Sequence, residues 1–149
     1  RGTGRRFELK GTVHGVRVID DYGHHPTEIH VALEAARRFA DTGRLIVIFQ
    51  PHRYSRTKAF ATEFATELRK ADRAIVLEVY AASEKPIDGV SSRLITSMMS
   101  NGEYIPNFVE VTDSVVAEAQ PGDVIMTLGA GDVSSLAPII VEGLTRRFG

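Results

Sequence analysis

The apolar stretch LIVIF at Leu45–Phe49 decides the fold, because five consecutive apolar side chains are typical of a strand covered on both faces of a sheet. A similar run, DVIMTL, occupies Asp123–Leu128 near the other end of the chain. The segments between such runs are longer, and their apolar residues recur at helical spacing. The sequence therefore predicts parallel strands connected by helices.

Strands and helices are expected to alternate along the chain. The predicted strands are Arg6–Val13, Val16–Ile19, Leu45–Phe49, Ala74–Val79, Phe108–Val111 and Asp123–Leu128. The predicted helices are Thr27–Ala40, Thr57–Ala71, Val90–Met99, Asp113–Ala119 and Val133–Phe148. The first two strands would form a hairpin at His14-Gly15, and Asp113 would cap the fourth helix. The expected class is α/β, a doubly wound, mostly parallel, Rossmann-like sheet with helices on both faces and an N-terminal β-hairpin.

The composition is that of an ordinary globular protein, with 149 residues, 43% of them hydrophobic and 25% charged. A formal net charge of -1 gives no overall attraction to nucleic acid or to an anionic membrane. No apolar run approaches the roughly 20 residues of a membrane span. The absence of cysteine excludes disulfides, thiolate metal sites and a cysteine nucleophile. We expect a cytoplasmic protein without nucleic-acid or membrane partners.

The opening residues, RGTGRRF, are rich in glycine and arginine and do not include an initiator methionine. This start resembles a linker, so residues 1–149 are expected to be a single domain excised from a larger protein. Arg5 and Arg6 either solvate the start of the first strand or reach across a domain boundary to phosphate.

Ligands of open α/β sheets bind beyond the carboxyl ends of the strands, an edge that we call the rim. Four segments are expected there: Asp20–Pro26 (DDYGHHP), Gln50–Thr57 (QPHRYSRT), Tyr80–Gly89 (YAASEKPIDG) and Gly129–Asp132 (GAGD). The first combines carboxylates, a phenol and two imidazoles. It is compatible with a nucleotide site, with a structural turn, or with a metal site for which further ligands at standard spacing are missing.

The second segment carries His52, Arg53 and Arg56 without an acidic residue. Planar guanidinium groups bind carboxylates through paired hydrogen bonds, so a carboxylate or phosphate clamp is one interpretation and a solvated basic turn is the other. GAGD lacks the third glycine of a dinucleotide fingerprint and favours a tight strand-to-helix turn. No G-x-x-x-x-G-K-[ST] phosphate loop occurs in the chain.

Four motifs in the same order resemble the C-terminal domain of the Mur ligases, the enzymes that add amino acids during peptidoglycan synthesis. They are GTGRRFE (Gly2–Glu8), VIDDYGHHPTEI (Val18–Ile29), FQPHRYSRT (Phe49–Thr57) and TLGAGD (Thr127–Asp132). The motif His-Arg-Tyr-x-Arg-Thr is similar to that of the alanine-adding branch of the family. The resemblance covers essentially the whole chain. It departs from the family pattern at Ala81 and Ser83, so no role is carried over to Glu84.

The resemblance implies a three-domain ligase that joins L-alanine to UDP-N-acetylmuramate through an acyl phosphate, using ATP and Mg²⁺. One domain would hold the UDP-sugar and a central domain the ATP phosphates, and this domain would pack against both and close over them. It implies no resident metal here and no covalent nucleophile. By the same likeness, Arg6, Asp21 and His24 would contact ATP, and Tyr22, His52, Arg53 and Arg56 would position the amino acid. The alternatives are a sister ligase that adds another amino acid or peptide, and a non-catalytic nucleotide-binding module.

Overall fold

The computed structural model describes residues 6–149 and contains a mixed six-stranded sheet. Its strands are β1 (Glu8–Val13), β2 (Val16–Asp21), β3 (Leu45–Phe49), β4 (Arg73–Val76), β5 (Gly102–Tyr104) and β6 (Val124–Leu128). The spatial order is β1-β2-β6-β3-β4-β5, in which β1 runs antiparallel to β2 and the other neighbouring pairs are parallel. Arg5 and the start of the Gly2–Glu8 motif lie outside the described residues.

The N-terminal hairpin forms where it was predicted. His14 and Gly15 both have positive φ angles, 52° and 79°, as the tight turns favoured between twisted antiparallel strands require. β2 continues past the predicted end at Ile19, because Asp20 and Asp21 pair with the last residues of β6. The acidic pair therefore belongs to a buried strand end, and the loop that it was expected to open starts at Tyr22.

Helices cover both faces of the sheet. They are α1 (Pro26–Ala40), α2 (Tyr54–Leu68), α3 (Arg93–Thr96), α4 (Phe108–Glu118) and α5 (Leu136–Phe148). Val47 and Phe49 face the core under α1, α2 and α3, whereas Ile46 and Ile48 face the core under α4 and α5. Every residue of β3 is buried, which confirms both the LIVIF strand and the doubly wound α/β class.

The segment between β4 and β6 corrects two predictions. Phe108–Val111 was predicted to be a strand but forms the first turn of α4, and the strand here is β5. The N-cap of α4 is Asn107, whose side chain accepts the Glu110 amide at 3.0 Å. Asp113 is therefore an exposed residue in the interior of α4 and not its cap. The short apolar run was ambiguous because four residues do not separate a period of 2 from one of 3.6.

The helix predicted over Val90–Met99 was too long, since only α3 is helical. The Ser91 hydroxyl accepts the Arg93 amide, and the Ser92 hydroxyl donates to the Leu77 carbonyl. Such serine bonds compete with helix continuation. Smaller differences are that α2 runs from Tyr54 to Leu68 where Thr57–Ala71 was predicted, and that β4 ends at Val76. Within residues 6–149, the structure contains no helix with the length and apolarity needed to cross a bilayer.

Replacing Asn107 by alanine in this chain should lower the free energy of unfolding by about 1 kcal/mol, because the side-chain bond to the Glu110 amide is lost. Asp113→Ala is the matched control on the same helix and should change the free energy of unfolding by less than about 0.5 kcal/mol. Urea unfolding followed by circular dichroism measures both. A loss for Asp113→Ala as large as that for Asn107→Ala would contradict the start of α4 at Asn107.

Candidate functional site

Four strand ends are level at the rim. Asp21 of β2 pairs with Leu128 of β6, Leu128 pairs with Phe49 of β3, and Phe49 pairs with Val76 of β4. The loops that follow these strands therefore begin side by side. The structure places Asp21 and Arg53 on the same edge of the sheet, as the topological argument required.

The Asp21 side chain lies at one end of the rim and is nearly inaccessible, since the residue is only 3% exposed. Its Oδ2 accepts the Phe7 amide at 2.9 Å and its Oδ1 accepts the Gly23 amide at 2.8 Å. Burial raises the pKa of Asp21 above its ordinary value of 3.8, although these two amide bonds and the charge of Arg6 lower it. Asp21 thus shapes the turn that carries Tyr22 and His24.

Four rings cross the rim from loop to loop, and we call them the aromatic row: Tyr22, His24, His52 and Tyr80. The Tyr22 and His24 ring centroids are 5.1 Å apart, those of His24 and His52 are 5.4 Å apart, and those of His52 and Tyr80 are 5.7 Å apart. The row joins the first, second and third predicted segments. His25, directly before α1, lies outside the row, and its ring packs against that of Phe60 in α2.

Two charged residues outside the first segment, Arg6 and Glu28, lie beside it. The Glu28 Oε1 accepts the amides of His24 and His25 at 3.1 and 3.2 Å, as expected for an acid in the first turn of α1. Burial raises the pKa of Glu28, but these bonds and the charges of His24 and Arg6 outweigh it, so the pKa is lowered. The positive charge of Arg6 acts on both Glu28 and Asp21, so the exposed Arg6 lies beside this segment.

Arg53 has an unusual backbone conformation directly before α2. Its φ is 76° with ψ 139°, a region that costs energy for a residue with a Cβ. Three hydrogen bonds hold it there: its amide donates to the Tyr80 carbonyl at 2.8 Å, and its carbonyl accepts the Thr57 amide at 3.1 Å and the Thr57 hydroxyl at 2.8 Å. The exposed Arg53 side chain is therefore attached to a fixed backbone.

His52 is a neutral neighbour of the arginines. The Arg56 guanidinium lies 3.4 Å from His52 Nδ1. Burial lowers the pKa of His52 below its ordinary 6.5, and the charges of His24, Arg56 and Arg53 lower it further. An imidazole whose Nδ1 accepts from Arg56 carries its proton on Nε2, so His52 presents a neutral N–H donor.

The arginines themselves are available for an anion. Among residues 6–149, neither Arg53 nor Arg56 forms an ion pair with a carboxylate. One acid does lie close by: Glu84 of the third segment accepts the Ser55 amide at 3.0 Å and the Ser55 hydroxyl. These bonds lower the pKa of Glu84. Glu84 thus caps the N-terminus of α2 and supplies part of the negative charge expected beside the arginines.

The GAGD segment forms the tight strand-to-helix turn that was expected. Gly129 has a φ of 148°, and Asp132–Ser135 is a single 3₁₀ turn before α5. A Cβ on Gly131 would lie 2.4 Å from Gln50 Oε1 and 2.6 Å from Tyr80 Cγ. This glycine is therefore required for close packing between loops.

Sequence reasoning assigned no role to Gln50, Thr57, Tyr80 or Glu84, although all four organise the rim. Gln50, Tyr80 and Glu84 act on residues of other segments, and spacing along the chain gives no signal for such contacts, whereas Thr57 acts on Arg53 within its own segment. No group of three or more histidine and acidic side chains suited to a metal ion occurs among residues 6–149. An open groove of about 510 Å³ lies between α1 and α2 beside His30 and Glu67, away from the aromatic row.

We expect the pKa of His52 to lie below 6.5 in the folded chain, because burial and the nearby positive charges disfavour the imidazolium. The unfolded chain then binds more protons between the folded pKa and 6.5. The stability contributed by neutral His52 is present above pH 6.5 and is lost as the pH falls through this window.

An NMR titration of the imidazole signals measures this pKa directly. Arg56→Ala should raise the pKa of His52, whereas Arg38→Ala, an exposed arginine near the end of α1, should not change it. A His52 pKa at or above 6.5 in the unsubstituted chain would contradict this electrostatic description.

Solved structures share this fold. A murein peptide ligase from Psychrobacter arcticus matches with a TM-score of 0.77 and 21% identity, covering 94% of this chain and 30% of that chain. MurF ligase from Thermotoga maritima, solved in complex with ADP, matches with a TM-score of 0.73 and 18% identity, covering 96% of this chain and 32% of that chain. At these identities the likeness establishes the fold.

Sequence relatives are closer. The UDP-N-acetylmuramate–L-alanine ligase of Paenarthrobacter aurescens (strain TC1) is 53% identical over 143 residues, covering 96% of this chain and 31% of that protein. The protein of the same name from Mycobacterium ulcerans (strain Agy99) is 51% identical over 150 residues, covering 98% of this chain and 31% of its own length. The chain thus spans less than a third of these relatives. The family described as "Mur ligase, glutamate ligase domain" matches residues 5–131, so this chain belongs to the C-terminal domain family of the Mur ligases, as its motifs indicated.

Proposed function

We propose that this domain positions L-alanine in an ATP-dependent ligase that joins it to UDP-N-acetylmuramate in the cytoplasm. The observation that carries the proposal is the meeting of His52, Arg53 and Arg56 with the Tyr22 and His24 rings on one rim. The chain matches 31% of relatives that bear this ligase name. Residues 1–149 would therefore be one domain of the enzyme and would pack against the domains that hold the UDP-sugar and the ATP phosphates.

The alanine carboxylate would bind to the three basic side chains of the second segment. Arg53 and Arg56 supply guanidinium donors that form no ion pair within residues 6–149, and His52 supplies a neutral Nε2 donor. Arg53 is held on a fixed backbone, which reduces the entropy lost when an anion binds. A cluster of donors without a paired acid suits a small carboxylate better than a solvated basic turn.

The first segment would contact ATP. Arg6 carries the positive charge that phosphate oxygens require, and its charge acts on Glu28, which accepts the His24 amide. Each Asp21 oxygen accepts one amide and retains a lone pair, but the residue is only 3% exposed, so a ribose hydroxyl would reach it only if the surrounding turn moved. These groups fit part of a nucleotide and no more. The phosphate loop and Mg²⁺ would be contributed from outside this domain, and bound ATP would supply the phosphoryl group that activates the muramate carboxylate as an acyl phosphate.

The domain would accelerate the reaction by orientation. A carboxylate fixed by Arg53 and Arg56 leaves the amine of alanine as its reacting end, and holding that amine near the activated carbon replaces a random encounter with an oriented one. Tyr22 and His24 would line the space between alanine and nucleotide. Closure of the rim against the other domains would exclude water that competes with the amine.

Arg53→Ala in the full-length ligase should lower kcat/KM for L-alanine about 10- to 150-fold, because a charge-assisted hydrogen bond worth roughly 1.5–3 kcal/mol is lost. Arg38→Ala is the matched control, since Arg38 is exposed near the end of α1 away from the rim. Steady-state phosphate release at varied alanine concentration measures both. An unchanged kcat/KM in Arg53→Ala would remove the clamp from the proposal.

The same assay across amino acids and short peptides separates this function from that of a sister ligase. Alanine should have the highest kcat/KM, since His-Arg-Tyr-x-Arg-Thr at residues 52–57 is similar to the alanine-adding branch. A higher value for another amino acid or for a peptide would transfer the proposal to that substrate.

The isolated chain should bind ATP weakly or not at all, because it lacks a phosphate loop and offers only Arg6, Asp21 and His24 to the nucleotide. Isothermal titration calorimetry of residues 1–149 with MgATP measures this, with the full-length ligase as the positive control. Tight binding by the isolated chain would favour a self-sufficient nucleotide-binding module.

A further inference from the structure

We infer that Gln50 and Asp132 are positioning residues that hold the basic loop, residues 52–56, in the geometry that recognises the amino-acid carboxylate. The inference rests on the proposed role of Arg53 and Arg56 in binding alanine. The GAGD turn would then hold the basic loop in place through Asp132 and would not contact phosphate. Neither Gln50 nor Asp132 would touch the substrate.

The Gln50 side chain joins the second segment to the fourth. Gln50 directly follows β3 and is 4% exposed. Its Nε2 donates to Asp132 Oδ1 at 2.7 Å, and its Oε1 accepts the Val133 amide at 3.2 Å. Its backbone amide also donates to the Leu128 carbonyl at 3.0 Å. Because a buried amide left without its partners destabilises the folded chain, these bonds fix where the loop leaves the sheet.

The glycines of the turn make this contact possible. Gly131 lies so near Gln50 Oε1 and the Tyr80 ring that no Cβ fits, and a Cβ on Gly129 would lie 2.8 Å from the Gln50 carbonyl oxygen. Close approach to protein atoms thus accounts for both glycines. The same space holds the Tyr80 ring, which stacks on His52.

The fixed position of Gln50 is transmitted to Arg53 over three residues. The Pro51 carbonyl accepts the Tyr80 amide at 2.8 Å, and the Arg53 amide donates to the Tyr80 carbonyl at 2.8 Å. The segment is thus anchored at its start by Gln50 and along its side by Tyr80. Since Arg53 holds a φ of 76° only while these bonds are made, displacement of Gln50 would alter the direction of its guanidinium.

An exchange of donor and acceptor tests the inference in the full-length ligase. Gln50→Glu places a carboxylate against Asp132 and removes the donor, so KM for L-alanine should rise about 10-fold, with KM for UDP-N-acetylmuramate changed less than about 2-fold. The double variant Gln50→Glu/Asp132→Asn restores one donor and one acceptor in the reverse direction. Its KM for alanine should return to within about 3-fold of the unsubstituted enzyme.

Asp132→Asn alone retains an acceptor oxygen for Gln50 Nε2 and is the conservative control, with an expected change in alanine KM below about 2-fold. Asp132→Ala removes the same bond at an exposed position, and it takes the place of Gln50→Glu should thermal unfolding show that Gln50→Glu does not fold. It should raise KM for alanine about 3- to 10-fold.

The inference is overturned by an unchanged alanine KM in Gln50→Glu or, when that variant does not fold, in Asp132→Ala. It is also overturned by a double variant as impaired as Gln50→Glu. Arg53→Ala in the same assay distinguishes failure of the positioning role from failure of the proposed alanine-binding function. If Arg53→Ala raises KM for alanine while the Gln50 and Asp132 variants do not, the positioning role fails alone. If Arg53→Ala has no effect, the proposed function fails.

Discussion

Strand β6 determines where everything at the rim lies, because it is hydrogen-bonded to β2 on one side and to β3 on the other. Its register sets Asp21, Leu128 and Phe49 at one level, and all five of its residues are buried. Loops that are distant in the chain therefore start side by side, in an order that differs from their order in the sequence. β6 lies between β2 and β3 in the sheet, and its pairing with both brings the first and second rim segments to the same edge.

The electrostatics of the rim follow from which charges are already satisfied. Acidic groups near it are occupied by backbone donors: Asp21 by two amides, Glu28 by the amides of His24 and His25, and Glu84 by Ser55. The guanidinium groups of the second segment lie next to a neutral imidazole and form no ion pair within residues 6–149. The imbalance is local, since the chain as a whole has a formal net charge of -1. An anion bound beside Arg53 and Arg56 would gain from this local positive charge.

The sequence predicted the fold class because short apolar runs such as LIVIF alternate with longer segments whose apolar residues recur at helical spacing. It failed at Phe108–Val111, where four residues are too few to distinguish the two periods and the capping role of Asn107 was not recognised. The first and second rim segments were identified because the unusual residues of each are contiguous in the sequence. The bonds from Gln50 to Asp132 and from Glu84 to Ser55 join positions 82 and 29 residues apart, and local patterns in the sequence do not reveal which distant residues pack together.

The central place of β6 also dictates an order of events during synthesis. Asp20 and Thr127 are hydrogen-bonded although 107 residues separate them, and pairings of such long range form slowly. Until residues 124–128 leave the ribosome, β2 and β3 each present an unpaired backbone edge with apolar faces, a surface on which other chains can aggregate. The order of translation therefore leaves these two edges open to pairing with other chains until nearly all of this domain has been synthesised.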